Sequence, residues 1–158
     1  MNMRLDPQKA APQAIAAMLK LEAYLKGVEL EKESIHLVQI RASQINGCAF
    51  CLNMHTIEAQ ESGMPGEKLA LLPVWQESSL FTPRERAALA WTEALTLIAD
   101  TRAPDEDFDR LRKQFSEKEI VDLTLLIGAI NVWNRLNVGF RTPPELDPQV
   151  LEALAVAG

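Results

Sequence analysis

The segment "LVQIRASQINGCAFCLNMHTIEA", residues 37–59, decides the fold of this 158-residue chain. Its first half continues a run in which Ile35, Leu37, Val38, Ile40 and Ala42 recur at the three-to-four spacing of a one-sided helix, expected over Glu33 to Ile45. Asn46-Gly47 then breaks the helix in a typical C-terminal turn. A second helix is expected from near Cys48 to about Ser62, closed by Gly63 and Pro65. Both cysteines of the chain and one of its two histidines fall at the start of that second helix.

Outward from this segment the pattern stays helical. Pro12 to Leu25 carries Ile15, Met18, Leu19, Leu21 and Tyr24 on one side, and Gly66 to Trp75 reads as a short helix and connector. Thr82-Pro83-Arg84-Glu85 is a helix start, with Thr82 as cap, for a helix continuing through Asp100. Asp105 to Gln114 is a short amphipathic helix. Ser116 with Glu119 forms a second capping box, opening the most apolar segment, "IVDLTLLIGAINVWNRLNV" at 120–138. The tail after Thr142-Pro143-Pro144 is expected to be a weaker helix or arm. Nothing in this series pairs as strands, so the expected fold is an all-α bundle of six to eight helices in one domain over residues 1–158.

Composition narrows the function classes. Net charge is -6, and the 16 basic residues are scattered, which argues against nucleic acid or an anionic membrane as partner. No run of about 18 apolar residues is present to form a transmembrane helix. The N-terminus sets Asp6, Pro7, Gln8 and Lys9 where a signal peptide needs an unbroken apolar core, which predicts a cytoplasmic protein. In that compartment a CxxC pair points to redox or metal chemistry rather than to a structural staple.

Cys51 lies about 60° from Cys48 around a helix axis and His55 about 20° from Cys48, so the three side chains share one face. His55 follows Cys51 by one turn, the spacing at which helical side chains meet. A helix starting near Cys48 also sets both sulfurs close to its positive end, where a thiolate is favoured. An imidazole that takes a thiol proton, with a second thiol to close a disulfide, is the minimum equipment for peroxide reduction or thiol–disulfide exchange. Two other readings stand beside this one: a pair of buried small hydrophobes, and a Cys2His2 zinc site completed by His36. Redox chemistry, without a metal, is the favoured reading, since three zinc ligands rarely share one continuous helix. No flavin, nicotinamide or phosphate-binding glycine pattern occurs, so no cofactor is expected and electrons would arrive through an external thiol.

These residues carry a resemblance. Residues 37–59 resemble the core motif of the alkylhydroperoxidase D-like (AhpD-like) proteins of the carboxymuconolactone decarboxylase superfamily. The similarity continues through "LPVWQESSLFTPRERAALAWTEALT" at 72–96 and "FSEKEIVDLTLLIGAINVWNRLNV" at 115–138. The resemblance implies an AhpD-like bundle and a thiol-dependent peroxidase acting on hydrogen peroxide or small organic hydroperoxides. It implies that Cys51 is the peroxidatic nucleophile, Cys48 the resolving thiol and His55 the proton acceptor. It also implies a dithiol donor, of lipoyl type in better-known relatives, and a homo-oligomer, with a hexamer built as a trimer of dimers as the expected form and a trimer or dimer as the alternative. Lactone decarboxylation belongs to the wider superfamily but makes little use of a cysteine pair. A non-enzymatic redox sensor or zinc-held module is the remaining alternative.

One position departs from the family pattern. Twelve residues before Cys48, where the relatives carry a relay glutamate, this chain has His36. A second imidazole supports a protonated His55 less well than a carboxylate does. Glu33 and Glu58 are the carboxylates near enough in spacing to substitute, although either is ordinarily a solvated surface group. Asn131, Trp133, Asn134 and Arg135 are expected first as groups bonded to neighbouring helices or another subunit, with lining of the active-site mouth as the alternative. Trp75, Trp91 and Trp133 are expected in the core or a subunit interface, and Arg41 and Ser43 in the local framework.

Overall fold

The computed structural model describes residues 2–148 and 151–152. In chain order it forms α1 (Pro7–Ala10), α2 (Pro12–Leu25), α3 (Lys32–Asn46), α4 (Ala49–Glu61), α5 (Gly66–Leu71), a 3-10 turn (Leu72–Glu77), α6 (Pro83–Thr96), α7 (Ile98–Thr101), α8 (Asp105–Arg112) and α9 (Glu117–Phe140). No strand occurs among the described residues, so the fold is all-α. Two of these helices, α1 and α7, are single turns of four residues.

Local chemistry accounts for the breaks. Gly47 sits at φ 64° and ψ 34°, the left-handed region that glycine enters without steric cost, and the Cys48 amide returns to the Ser43 carbonyl at 3.0 Å. This turn separates α3 from α4 and makes Cys48 the N-cap of α4. Both capping boxes form: Thr82 with Glu85 at the head of α6, and Ser116 with Glu119 at the head of α9. The helix expected through Asp100 instead stops at Thr96. Leu97 turns out of the helix at φ -101° and ψ 30°, and the Thr101 hydroxyl takes the otherwise unpaired Ala94 carbonyl at 2.6 Å.

Packing is organised around α3, which lies against α4, α6 and α9. One apolar cluster joins Leu25, Val38, Ala87, Leu111, Leu123 and Ile127, spanning α2, α3, α6, α8 and α9. A second, around Leu37, Ile40, Leu72, Trp75 and Leu89, closes the α3–α4–α6 side. Leu72, Leu89 and Leu111 are wholly buried, and each such side chain contributes about 1.5–3 kcal/mol relative to exposure. The α6 residues Ala87 to Thr92 and Ala94 are all buried within the chain, so the breadth of that apolar helix reflects its central position. By contrast, α9 keeps Val121, Leu125 and Val132 exposed on the side away from Leu123, Ile127 and Ile130.

Ionic clamps hold the helices in place. Lys68 of α5 is buried and reaches Glu33 of α3 at 2.6 Å and Glu85 of α6 at 2.7 Å. Arg41 and the Trp75 indole nitrogen converge on Glu93, at 2.8 and 2.7 Å. Trp75 and Trp91 are thus core residues, and Arg41 is framework, as expected. After Pro144 the chain passes α4, where the Asn53 amide donates to the Glu145 carbonyl at 2.5 Å. The rest of the arm expected there lies largely outside the described residues, at 149–150 and 153–158.

Candidate active site

The turn at Gly47 delivers Cys48 and Cys51 to one place. Cys48 is the N-cap of α4 and its sulfur accepts the Cys51 amide at 3.4 Å, as a capping hydroxyl would. Both sulfurs are free thiols and almost wholly buried, in a small cluster with Ala42 of α3 and Ile130 of α9, flanked by Phe50 and Trp133. The sequence reading of the pair as buried hydrophobes therefore describes their surroundings correctly. It misses their electrostatics.

The two thiols are driven apart in acidity. A hydrogen bond from Cys48 lowers the Cys51 thiol against the opposing effect of burial, and amides of Asn137 and Asn134 add to it, bringing Cys51 to about 7. Its bond to Cys51, followed by burial, pushes the Cys48 thiol up. The pair is thus arranged to hold one proton, on Cys48, with the anion on Cys51.

Cys51 opens onto a cavity of about 780 Å³ between α2, α3, α4 and α9, whereas Cys48 lies behind it and does not reach the wall. Leu19, Leu25, Ile35, Phe50, Leu126 and Trp133 make the wall largely apolar. Trp133 is fixed there by its indole nitrogen, which donates to Glu22 of α2 at 2.8 Å. Its neighbours on α9 do the other job: Asn134 is buried, donates to Ser43 at 3.1 Å and accepts from Asn46 at 2.9 Å. Asn131 is likewise buried, bonded to Thr96 and Asn46, and Arg135 donates to Asn131. Of the four polar candidates on α9, only Trp133 lines the mouth.

His55 is buried in the same wall, one turn after Cys51. Its Nδ1 lies 2.7 Å from Glu58 Oε2. A carboxylate at Nδ1 fixes that nitrogen as the donor and leaves Nε2 with its lone pair free to accept a proton. No hydrogen bond joins His55 to Cys51 among the described residues; they share the cavity. His36 also lines the cavity, but its Nε2 meets the Ser62 hydroxyl at 3.2 Å and its Nδ1 is buried without a partner. Burial lowers the His36 pKa, partly opposed by Glu58 and reinforced by His55. Burial thus favours the neutral imidazole at His36. Among the described residues no three His, Cys, Asp or Glu side chains converge as a metal site, so His36 does not complete a cage with the cysteines.

The orienting carboxylate at His55 is accordingly Glu58, three residues along α4, while Glu33 is committed to Lys68. Spacing alone places Glu58 within reach of His55 without separating it from a solvated glutamate. Asn137 carries no signal in the sequence, because its contact with Cys51 spans 86 residues.

Comparisons with known proteins agree with this architecture. Residues 10–94 match the carboxymuconolactone decarboxylase family. The uncharacterized protein YdfG of Bacillus subtilis is 38% identical over 138 residues, covering 87% of this chain and 94% of that protein. A crystal structure from Agrobacterium tumefaciens, ATU0492, superposes with a TM-score of 0.89 at 46% identity, over 92% of this chain and all of the other. It is described as a protein of unknown function, provisionally an antioxidant defence protein AhpD. The debrominase Bmp8 shares the fold alone, with a TM-score of 0.76 at 21% identity over 90% of this chain and 77% of its own. With the family match spanning more than half of the sequence and YdfG aligned along nearly its whole length, the chain belongs to the carboxymuconolactone decarboxylase family, as an AhpD-like member.

Proposed function

We propose that this chain is a thiol-dependent peroxidase of hydroperoxides. The observation that carries the reading is the asymmetry of the pair: the acidified Cys51 faces a large cavity, and the protonated Cys48 backs it. A sensor disulfide has no use for a cavity of this size beside its reactive sulfur. The family membership and the antioxidant description of the Agrobacterium relative point the same way.

The reaction follows from these groups. The Cys51 thiolate attacks the terminal oxygen of ROOH, the O–O bond breaks, and Cys51 becomes a sulfenic acid. The alkoxide takes a proton from His55, which holds the one released by Cys51, and leaves as ROH. The Cys48 thiol then condenses with the sulfenic acid, forming the Cys48–Cys51 disulfide and releasing water. An external dithiol, of which a lipoyl-type carrier is the expected class, returns both cysteines to thiols and is itself oxidised to a disulfide. Treating the folded, reduced protein with a stoichiometric hydroperoxide should therefore consume one peroxide and two thiols per chain. Intact mass should fall by about two daltons, the two hydrogens lost on closing one disulfide. Both cysteines still free by mass spectrometry would overturn the reading.

We also propose that the protein works as a homo-oligomer, a hexamer built as a trimer of dimers, without nucleic acid or membrane as partner. Val121, Leu125 and Val132 leave an apolar stripe on α9, and symmetric self-association is the usual way to cover such a surface. No described helix is long and apolar enough to cross a membrane. Light scattering should give several times the 17.6 kDa chain mass. A monomer at micromolar concentration would refute the assembly.

A further inference from the structure

We propose that Asn137 is a thiolate-stabilising donor of this site beside Cys48: its side-chain amide, 3.3 Å from the Cys51 sulfur, holds the anionic sulfur in the cavity wall. The inference rests on Cys51 being the nucleophile.

An amide N–H can only donate to sulfur, so it favours the anion over the neutral thiol, which is a weak acceptor. The need for such a donor is plain from the surroundings. Ala42, Ile130, Phe50 and Trp133 enclose the pair with apolar surface that offers an anion nothing. Were the role of position 137 only to fill space, a leucine would serve as well. Among the described residues the Cys51 sulfur is the one side-chain partner of the Asn137 amide. Asn134, one turn earlier, adds a smaller contribution, its amide being shared with the Ser43 hydroxyl.

The backbone fixes where this amide sits. Asn137 is in the last turn of α9, and its carbonyl takes the Thr142 amide at 2.9 Å as the chain turns through Arg141 at φ 59°. The helix end is thus capped at the residue that carries the donor. Asn137 also lines the cavity, so it touches Cys51 from the side on which substrate enters.

Other groups bear on the same sulfur. From α2 and its C-cap, Glu22 and Lys26 face the cavity; from α3, Lys32 and His36; from α4, His55, Glu58 and Glu61. Cys48 lies behind Cys51. α9 contributes no charged side chain to the wall, so an exchange at 137 changes the donor and leaves this set of charges in place.

The test is the pH profile of Cys51 alkylation by iodoacetamide in the reduced protein, with the labelled cysteine assigned by mass spectrometry. Asn137→Leu should raise the midpoint from about 7 by about one pH unit, which lowers the rate at pH 7 about five-fold. Asn137→Asp, which keeps the shape but presents a carboxylate, should raise it further. Above all midpoints the rates should converge. Unmoved midpoints, or rates lowered by one factor at every pH, would overturn the inference, because loss of packing or access acts in that way. The aspartate variant decides alone should the leucine variant fail to fold. The midpoint needs no peroxide. A shifted midpoint in a protein that does not reduce peroxide would leave Asn137 as the donor and remove the peroxidase reading; an unmoved midpoint with intact turnover would do the reverse.

Discussion

Cys51→Ser should abolish peroxide turnover altogether, while Cys48→Ser should complete one round and stop, with one sulfenic acid per chain held at Cys51. A serine hydroxyl has no accessible anion at neutral pH, so the first variant has nothing with which to attack the O–O bond. In the second, the attack survives, because the hydroxyl introduced at position 48 still offers a hydrogen bond to the Cys51 sulfur, as the Cys48 thiol does. What is lost is the thiol that condenses with the sulfenic acid. The first step should also carry the acidity of Cys51: its rate rises with pH through about 7 and then levels, since the thiolate fraction grows and saturates there. Trapping with a sulfenic-acid reagent and stopped-flow peroxide consumption test both variants. Sulfenic acid gathering on Cys48 in Cys51→Ser at the wild-type rate would mean that the two roles are exchanged.

The second large effect is expected at Glu58. Glu58→Gln keeps an oxygen that can accept from His55 Nδ1 but removes the charge that stabilises the imidazolium, and turnover should fall by about ten-fold or more. His36→Glu, introduced into that variant, should restore a substantial part of the loss. Position 36 lines the same cavity, and its imidazole already interacts electrostatically with His55. A carboxylate there would supply the charge that position 58 had lost, in the place where relatives are expected to carry it. Steady-state turnover with tert-butyl hydroperoxide and a dithiol, run on the single and double variants, measures this. If Glu58→Gln turns over like the wild type, the Glu58–His55 contact has no part in proton transfer. If His36→Glu leaves the deficit unchanged, position 36 is no relay.

Much of the architecture was legible because it is local. Gly47 had to end α3, since only its left-handed conformation lets the chain reverse into Cys48. Thr82–Glu85 and Ser116–Glu119 announced α6 and α9 through bonds that span three residues. The common face of Cys51 and His55 followed from 3.6-residue periodicity, whereas Cys48, an N-cap with extended backbone, lies behind Cys51 and off the wall they share. Where a side-chain bond competed with the helix pattern, as Thr101 does by capturing the Ala94 carbonyl, periodicity ran past the true end of α6.

The remainder depends on contacts between distant parts of the chain. No spacing rule brings Asn137 to Cys51, Trp133 to Glu22, or Lys68 between Glu33 and Glu85. Nor does composition say that His36 bonds Ser62 while Glu58 takes His55. The residue types and the helical face of the candidate site were determined by the sequence alone, because they rest on bonds and periods a few residues long. Which thiol is acidic and which faces the cavity were decided only by tertiary structure, because burial and hydrogen bonding to a sulfur depend on what α3 and α9 pack around it.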